Sequence, residues 1–210
     1  MYALVKDNSI EKIINNPKAM TIGDVQYPAK IFQLWSQDEL NAIGIYEVIT
    51  DATNKKDEAY YINTDEQYNY ADGQVTRTWG NATPKKLADS LWTQEDSDNG
   101  YMPDDKEVGD VKVKGLKTLK KEIIKSQASG LLAPTDWYVI KATDVEDYSV
   151  PSAVSTFRAD VRTKSNEMET AIDNASDVDA LATLYEYVNT GTKENPVMER
   201  PLGEFPTLEI

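Results

Sequence analysis

Pro151-Ser152-Ala153-Val154-Ser155-Thr156-Phe157-Arg158-Ala159-Asp160-Val161-Arg162 opens the run on which the fold class turns. Proline suits the first turn of a helix, where its missing N–H would have had no intrahelical partner. Beyond it Val154, Phe157, Val161, Met168 and Ile172 recur close to a heptad spacing, with Lys164 interrupting. Such a stripe marks a long helix with one apolar face, and a core face is a more frequent use of it than a partner groove. Upstream, Gly115 to Leu132 places Leu116, Leu119, Ile123 and Ile124 on one helical face. Between the two, Asp136-Trp137-Tyr138-Val139-Ile140 reads as a short extended element, rich in residues that favour strands. Asp136 is expected to cap a turn after Pro134-Thr135, and Trp137 to be a buried anchor between two structural units. Downstream, Ser176 and Asp179 have the spacing of a capping box, ahead of Val178, Leu181, Leu184, Tyr185 and Val188. From Thr190 onward, Pro196, Pro201 and Pro206 predict an extended tail.

Toward the N-terminus the period changes. Tyr2 to Val5 and Ile10 to Ile14 flank Asp7-Asn8-Ser9, a hairpin turn. Further turns are signalled at Gly23-Asp24 and at Ala71-Asp72-Gly73-Gln74, with strands around them through Val75 to Trp79. Ser36 followed by Glu39 predicts a capped short helix through Leu40 and Ile43, closed by Gly44, with Tyr46 to Ile49 returning as a strand. Ala59 to Ile62 and Gln67 to Tyr70 complete the set. The fold class is therefore α+β: a β-rich domain over 1–93, an acidic linker loop over 94–110, a helical domain over 111–189 and an extended tail over 190–210.

Composition narrows the chemistry. The 210 residues contain no cysteine and no histidine, so thiolate nucleophiles, His bases and the commonest transition-metal ligands are missing. Carboxylate chemistry and oxygen-ligated cations remain. A net charge of -14 predicts that the chain avoids nucleic acid and anionic surfaces. No apolar run approaches the roughly 20 residues of a membrane span, and the first residues lack the pattern of a signal peptide. No cofactor is expected.

Two places stand out as candidate sites. Asp96, Asp98, Asp104 and Glu107 fall at positions 1, 3, 9 and 12 of a calcium-loop pattern, although Gly100 and Tyr101 are misplaced for its sharp turn. The alternative is an ordinary acidic loop. The stretch Val111 to Lys125 concentrates Lys112, Lys114, Lys117, Lys120, Lys121 and Lys125 against Glu122 alone. On an acidic protein such a stripe suggests a docking surface for an acidic partner or another copy, the alternative being a solvated helix face. Partner contact is assigned to Lys112, Lys117, Lys120 and Lys121, with Leu116, Leu119 and Ile123 packed inward. A second contact is assigned to the tail residues Val197, Leu202, Phe205, Leu208 and Ile210. Carboxylate pairs for a polysaccharide hydrolase are available, but none is set apart in an apolar stretch.

One stretch carries a family resemblance. Thr135-Asp136-Trp137-Tyr138-Val139, leading to Val150-Pro151 and on through Val154, Phe157, Arg158, Val161 and Arg162, resembles C-terminal regions of tailed-bacteriophage proteins encoded near tail fibres. Val25-Gln26-Tyr27-Pro28, Leu34-Trp35-Ser36 and Ile43-Gly44-Ile45-Tyr46 are similar to the front of cyanophage-type members. The resemblance implies a non-enzymatic tail structural or assembly protein at the baseplate or tail fibre. It would bind tail-fibre or baseplate proteins, or further copies of itself, in the virion tail after assembly in the host cytoplasm. A tail-fibre assembly chaperone absent from the mature virion is the alternative, and a carboxylate-based polysaccharide hydrolase the second. Trp137, Tyr138, Arg158 and Arg162 would belong to the shared module, which supplies no catalytic residue.

Overall fold

The computed structural model describes residues 1–208, and the chain divides into two units, Met1–Pro84 and Lys85–Ile210. Together they make an α+β protein, with strands concentrated in the first and helices in the second.

In the first unit, β1 (Tyr2–Lys6) and β2 (Ser9–Ile14) form a hairpin. Asp7 and Asn8 both take positive φ, 51° and 60°, the twist that a two-residue turn between strands requires. A second hairpin, β3 (Met20–Ile22) and β4 (Val25–Tyr27), leads to α1 (Ile31–Leu34) and α2 (Gln37–Ala42). The expected capping box forms: Ser36 N donates to Glu39 Oε2 at 2.8 Å, and Glu39 N donates to Ser36 Oγ at 3.3 Å. Gly44, at φ 82°, then lets the chain reverse into β5 (Ile45–Thr50). A Cβ there would lie 2.6 Å from the Val5 carbonyl oxygen, so only glycine fits both the angle and the space. The remaining strands are β6 (Tyr61–Ile62), β7 (Glu66–Ala71), β8 (Gln74–Trp79) and β9 (Thr83–Pro84).

The main sheet runs β2-β1-β5-β8-β7, antiparallel except for the parallel pair β5 and β8, where Val48 faces Val75. Alternation along the strands sorts side chains onto two faces. Leu4, Ile14 and Ile45 lie on one face, where Ile31 of α1 and Leu40 of α2 complete the cluster. Ala3, Val48 and Val75 lie on the other, with Ile10 and Ile13 of β2 and Tyr68 and Tyr70 of β7 packed against them. The two edge strands thus share one cluster, which curls the sheet.

The second unit begins at Lys85, earlier than the expected boundary after residue 93. The reason lies at the start of α4 (Leu116–Leu132), whose N-cap, Gly115, has no side chain to offer. Residues 86–89 take over that role: Leu116 N and Lys117 N donate to the Lys86 and Leu87 carbonyls, and Gly115 N donates to Asp89 Oδ1 at 2.6 Å. The paired strands β10 (Ser90–Leu91) and β11 (Val111–Val113) close the segment. The acidic stretch between them is a closed loop rather than a linker, since Trp92 N donates to Asp110 O and Gly109 N to Trp92 O. Within it lies α3 (Gln94–Asp98), capped by Thr93 and Asp96.

After α4 a 3-10 turn over Ala133–Thr135 runs directly into α5 (Asp136–Asp144). The expected extended element is therefore a helix, and the strand preference of Trp137-Tyr138-Val139-Ile140 is overridden by tertiary contacts at the helix start. Next comes α6 (Ser152–Asn174), which buries the whole anticipated stripe, Val154, Phe157, Val161, Met168 and Ile172, with Ser165 filling the place beside Lys164. The last helix, α7 (Val178–Thr183), is capped by Asp177, whose side chain accepts from Ala180 N, and not by Ser176. The tail is not an extended arm. It makes a hairpin of β12 (Val188–Asn189) and β13 (Met198–Glu199) and then folds back.

Candidate interaction surface

The lysine stripe is engaged within the chain. Lys117 Nζ donates to the Asp173 carbonyl at 2.8 Å, Lys121 pairs with the Asp173 carboxylate at 2.7 Å, and Lys125 pairs with Glu169 at 3.3 Å. All three acceptors belong to α6, running antiparallel. Lys114 binds Glu122, and Lys112 binds Asp96 at 2.6 Å while covering the Trp92 ring. Lys120 lies over the ring of Tyr185, 4.5 Å from its centre. The expected polarity of α4 is thus reversed in part. Leu116 and Ile124 are buried, but Leu119 and Ile123 are 43% and 49% exposed. Long lysine stems can cover a helix interface while their ammonium groups reach acids on the facing helix, and this lets the apolar row turn outward.

The tail assignment changes likewise. Leu202 is buried, 2% exposed, and its N–H donates to the Leu184 carbonyl. Phe205 and Leu208 pack on the cluster of Ala128, Phe157 and Val161. Tyr187 donates to Glu204 Oε1, and this bond to an anion holds the phenol pKa above its usual value. These residues belong to the protein's own core; of the five assigned to a partner, Val197 stays exposed and Ile210 lies outside the described residues.

The calcium-loop pattern does not assemble. Asp96 sits in the first turn of α3, where the Lys112 ammonium and then the Thr93 backbone N–H hold its carboxyl below the usual range. Asp98, at the end of the same helix, accepts from Gln94. Among the described residues, no three acidic side chains gather as a cation site would require.

What the fold does present is α5. It buries none of its nine residues, although four apolar ones run in succession, Trp137-Tyr138-Val139-Ile140, and Ala142 follows after Lys141. Trp137, expected to be a buried anchor, is 50% exposed, and Ile140 is 61% exposed. Three residues apart, they share one side of the helix with Lys141 and Asp144. Lys141 Nζ lies 5.8 Å from the Trp137 ring centre and 4.3 Å from that of Tyr148.

Arg158 of α6 holds this helix in place. One guanidinium nitrogen donates to the Leu132 carbonyl at 3.0 Å and to Thr135 Oγ1 at 2.5 Å, and meets Asp136 Oδ1 at 2.8 Å. The Arg158 side chain is 11% exposed, and Thr135 is buried beneath it. Asp136 therefore fastens the first turn of α5 rather than capping a preceding one. Arg162 turns back to the Arg158 carbonyl. Periodicity gives no hint of this junction.

Comparison with protein-family models, curated proteins and solved structures finds no significant match to this chain.

Proposed function

We propose that this chain is a non-enzymatic structural or assembly protein of a bacteriophage tail, at the baseplate or tail fibre, and that it works by binding other tail proteins. The observation that carries the binding role is α5, a helix fixed rigidly at its start yet burying none of its apolar residues. A short helix in water gains little from propensity alone, and an exposed apolar stripe on it gains nothing from the chain's own core. Its purpose is best read as contact with something else. The phage assignment rests on the resemblance of this same region, Thr135 to Arg162, to proteins encoded near tail fibres.

The hydrolase reading finds less support. A general acid needs a carboxyl whose pKa is pushed up by an apolar setting. Glu39, Asp51, Asp89, Asp96 and Asp177 are instead held low, by hydrogen bonds led by those from the Ser36, Gly115 and Ala180 backbone, the Thr53 side chain and Lys112. A hollow of about 310 Å³ is lined by Asp160, Glu167 and Glu204, but Glu167 meets Lys164, and Glu204 is bound by Arg200 and Tyr187.

Quantitative mass spectrometry of purified particles tests the assignment. Stoichiometric presence supports a tail component. Presence in infected cells but absence from particles points to the chaperone role, and absence from both removes the phage reading. Sugar release from host-type polysaccharide, abolished by one Asp or Glu substitution, would overturn the non-enzymatic reading.

A further inference from the structure

The α5 surface also specifies the chemistry of what covers it. Trp137 and Ile140 provide an exposed apolar row, and Val145, just beyond the helix, adds a third apolar side chain at 45% exposure. Asp144, Glu146 and Asp147 surround its end, all exposed, and none forms an ion pair among the described residues. Lys141, the one base between residues 136 and 148, lies against the rings of Trp137 and Tyr148 instead. Unmatched acids beside unburied apolar side chains are what a positively charged, partly apolar ligand recognises.

A second copy of this chain is a poor occupant. Each copy carries a net charge of -14, and like faces brought together would oppose the same three acids. The lysine row from Lys112 to Lys125 is a poor source of the missing cations, because Lys112, Lys114, Lys117, Lys121 and Lys125 are engaged within the chain. We infer that the Trp137–Asp147 surface docks a cationic amphipathic segment of a different protein. Its apolar side chains cover Trp137 and Ile140, and its lysine or arginine side chains meet Asp144, Glu146 and Asp147. Arg158 contributes indirectly, as the positioning residue that keeps α5 presented. This deepens the binding role proposed above and rests on it only in taking α5 as a contact surface; it does not require a phage tail.

The experiment uses the full chain, labelled with nitrogen-15, and two synthetic amphipathic helical peptides. They share one spacing of Leu and Trp but carry Lys or Glu at every polar position. The lysine peptide should bind and shift amide resonances confined to residues 136–148, and the glutamate peptide should not bind. Ile140→Ser together with Trp137→Ala should weaken binding about tenfold or more, the usual cost of losing a central apolar anchor. Lysine at positions 144, 146 and 147 (Asp144→Lys, Glu146→Lys, Asp147→Lys) should weaken it most at low salt and flatten its salt dependence. Resonance shifts scattered over the acidic surface, equal binding of both peptides, or indifference to Ile140→Ser with Trp137→Ala would overturn the inference. So would a concentration-dependent dimer in sedimentation that these substitutions abolish, because a second copy would then cover the helix. A chain absent from both purified particles and infected cells that still binds through α5 would refute the phage assignment and leave this inference standing.

Discussion

Arg158 carries more of the helical unit than its place beside an apolar stripe suggests. It is a largely buried cation whose one nitrogen reaches a helix-end carbonyl, a buried hydroxyl and a carboxylate. Arg158→Leu removes one of the two donors to the Leu132 carbonyl, the Thr135 hydroxyl being the other, and leaves Asp136 without its partner, so unfolding in urea should show a loss of roughly 1–3 kcal/mol. Arg158→Lys retains the charge but not the planar geometry and should fall between. Trp137 makes the opposite case. With half its surface in water, Trp137→Ala should change stability by no more than about 1 kcal/mol, against the roughly 3–5 kcal/mol expected of a buried tryptophan. A denaturation curve that moves by the larger amount would mean that Trp137 is packed and that α5 is not a free surface. Neither outcome could be read from the sequence, since Trp137 lies in a run with no polar alternation to say which side faces inward.

At the scale of elements, α4 shows where periodicity runs out. Leu116, Leu119, Ile123 and Ile124 share one broad face, yet the buried residues are Leu116, Ile124 and Ala128, a face rotated away from Leu119 and Ile123. Salt bridges from Lys121 and Lys125 to α6 set the rotation. Ile124→Ala should therefore cost about 2–5 kcal/mol and its neighbour Ile123→Ala less than about 1 kcal/mol, as read from urea midpoints. Equal costs would place both side chains in the core and disprove the rotation. The tail is a second instance. Proline spacing predicts stiffness but not where a stiff segment lies, and here it returns to the Leu184 carbonyl and the Phe157–Val161 cluster. Deleting residues 201–210 removes buried Leu202 together with Phe205 and Leu208, so it should lower the melting midpoint of the helical unit sharply. A deletion that alters only binding to other proteins, with an unchanged melt, would restore the tail as an external arm.

For the whole molecule, charge governs the response to acid. Asp89, Asp96 and Asp177 hold the starts of α4, α3 and α7, and hydrogen bonds to their ionised forms keep all three pKa values low. A carboxyl with a lowered folded pKa binds fewer protons in the native state than when unfolded. Its contribution is complete above the ordinary carboxylate pKa of about 4 and is lost as pH falls through the lowered value. Urea midpoints should thus hold between pH 7 and 5 and drop below about pH 4, and Asn at positions 89, 96 and 177 should flatten that drop. A midpoint unchanged at pH 3 would show that these caps add nothing. The same scale separates what local pattern determines here from what it does not. Hairpin turns at Asp7-Asn8 and Asp72-Gly73, the Ser36–Glu39 cap and the α6 stripe were legible because each depends on neighbours within a few residues. The start of the second unit, the outward row on α4, the helix at 136–144 and the folded-back tail were not. Each depends on a partner distant in the chain: the Lys86 and Leu87 carbonyls, Asp173, Arg158 and Leu184. A hydrogen bond or ion pair between segments far apart leaves no period in the sequence, so it becomes visible only when folding brings its two ends together.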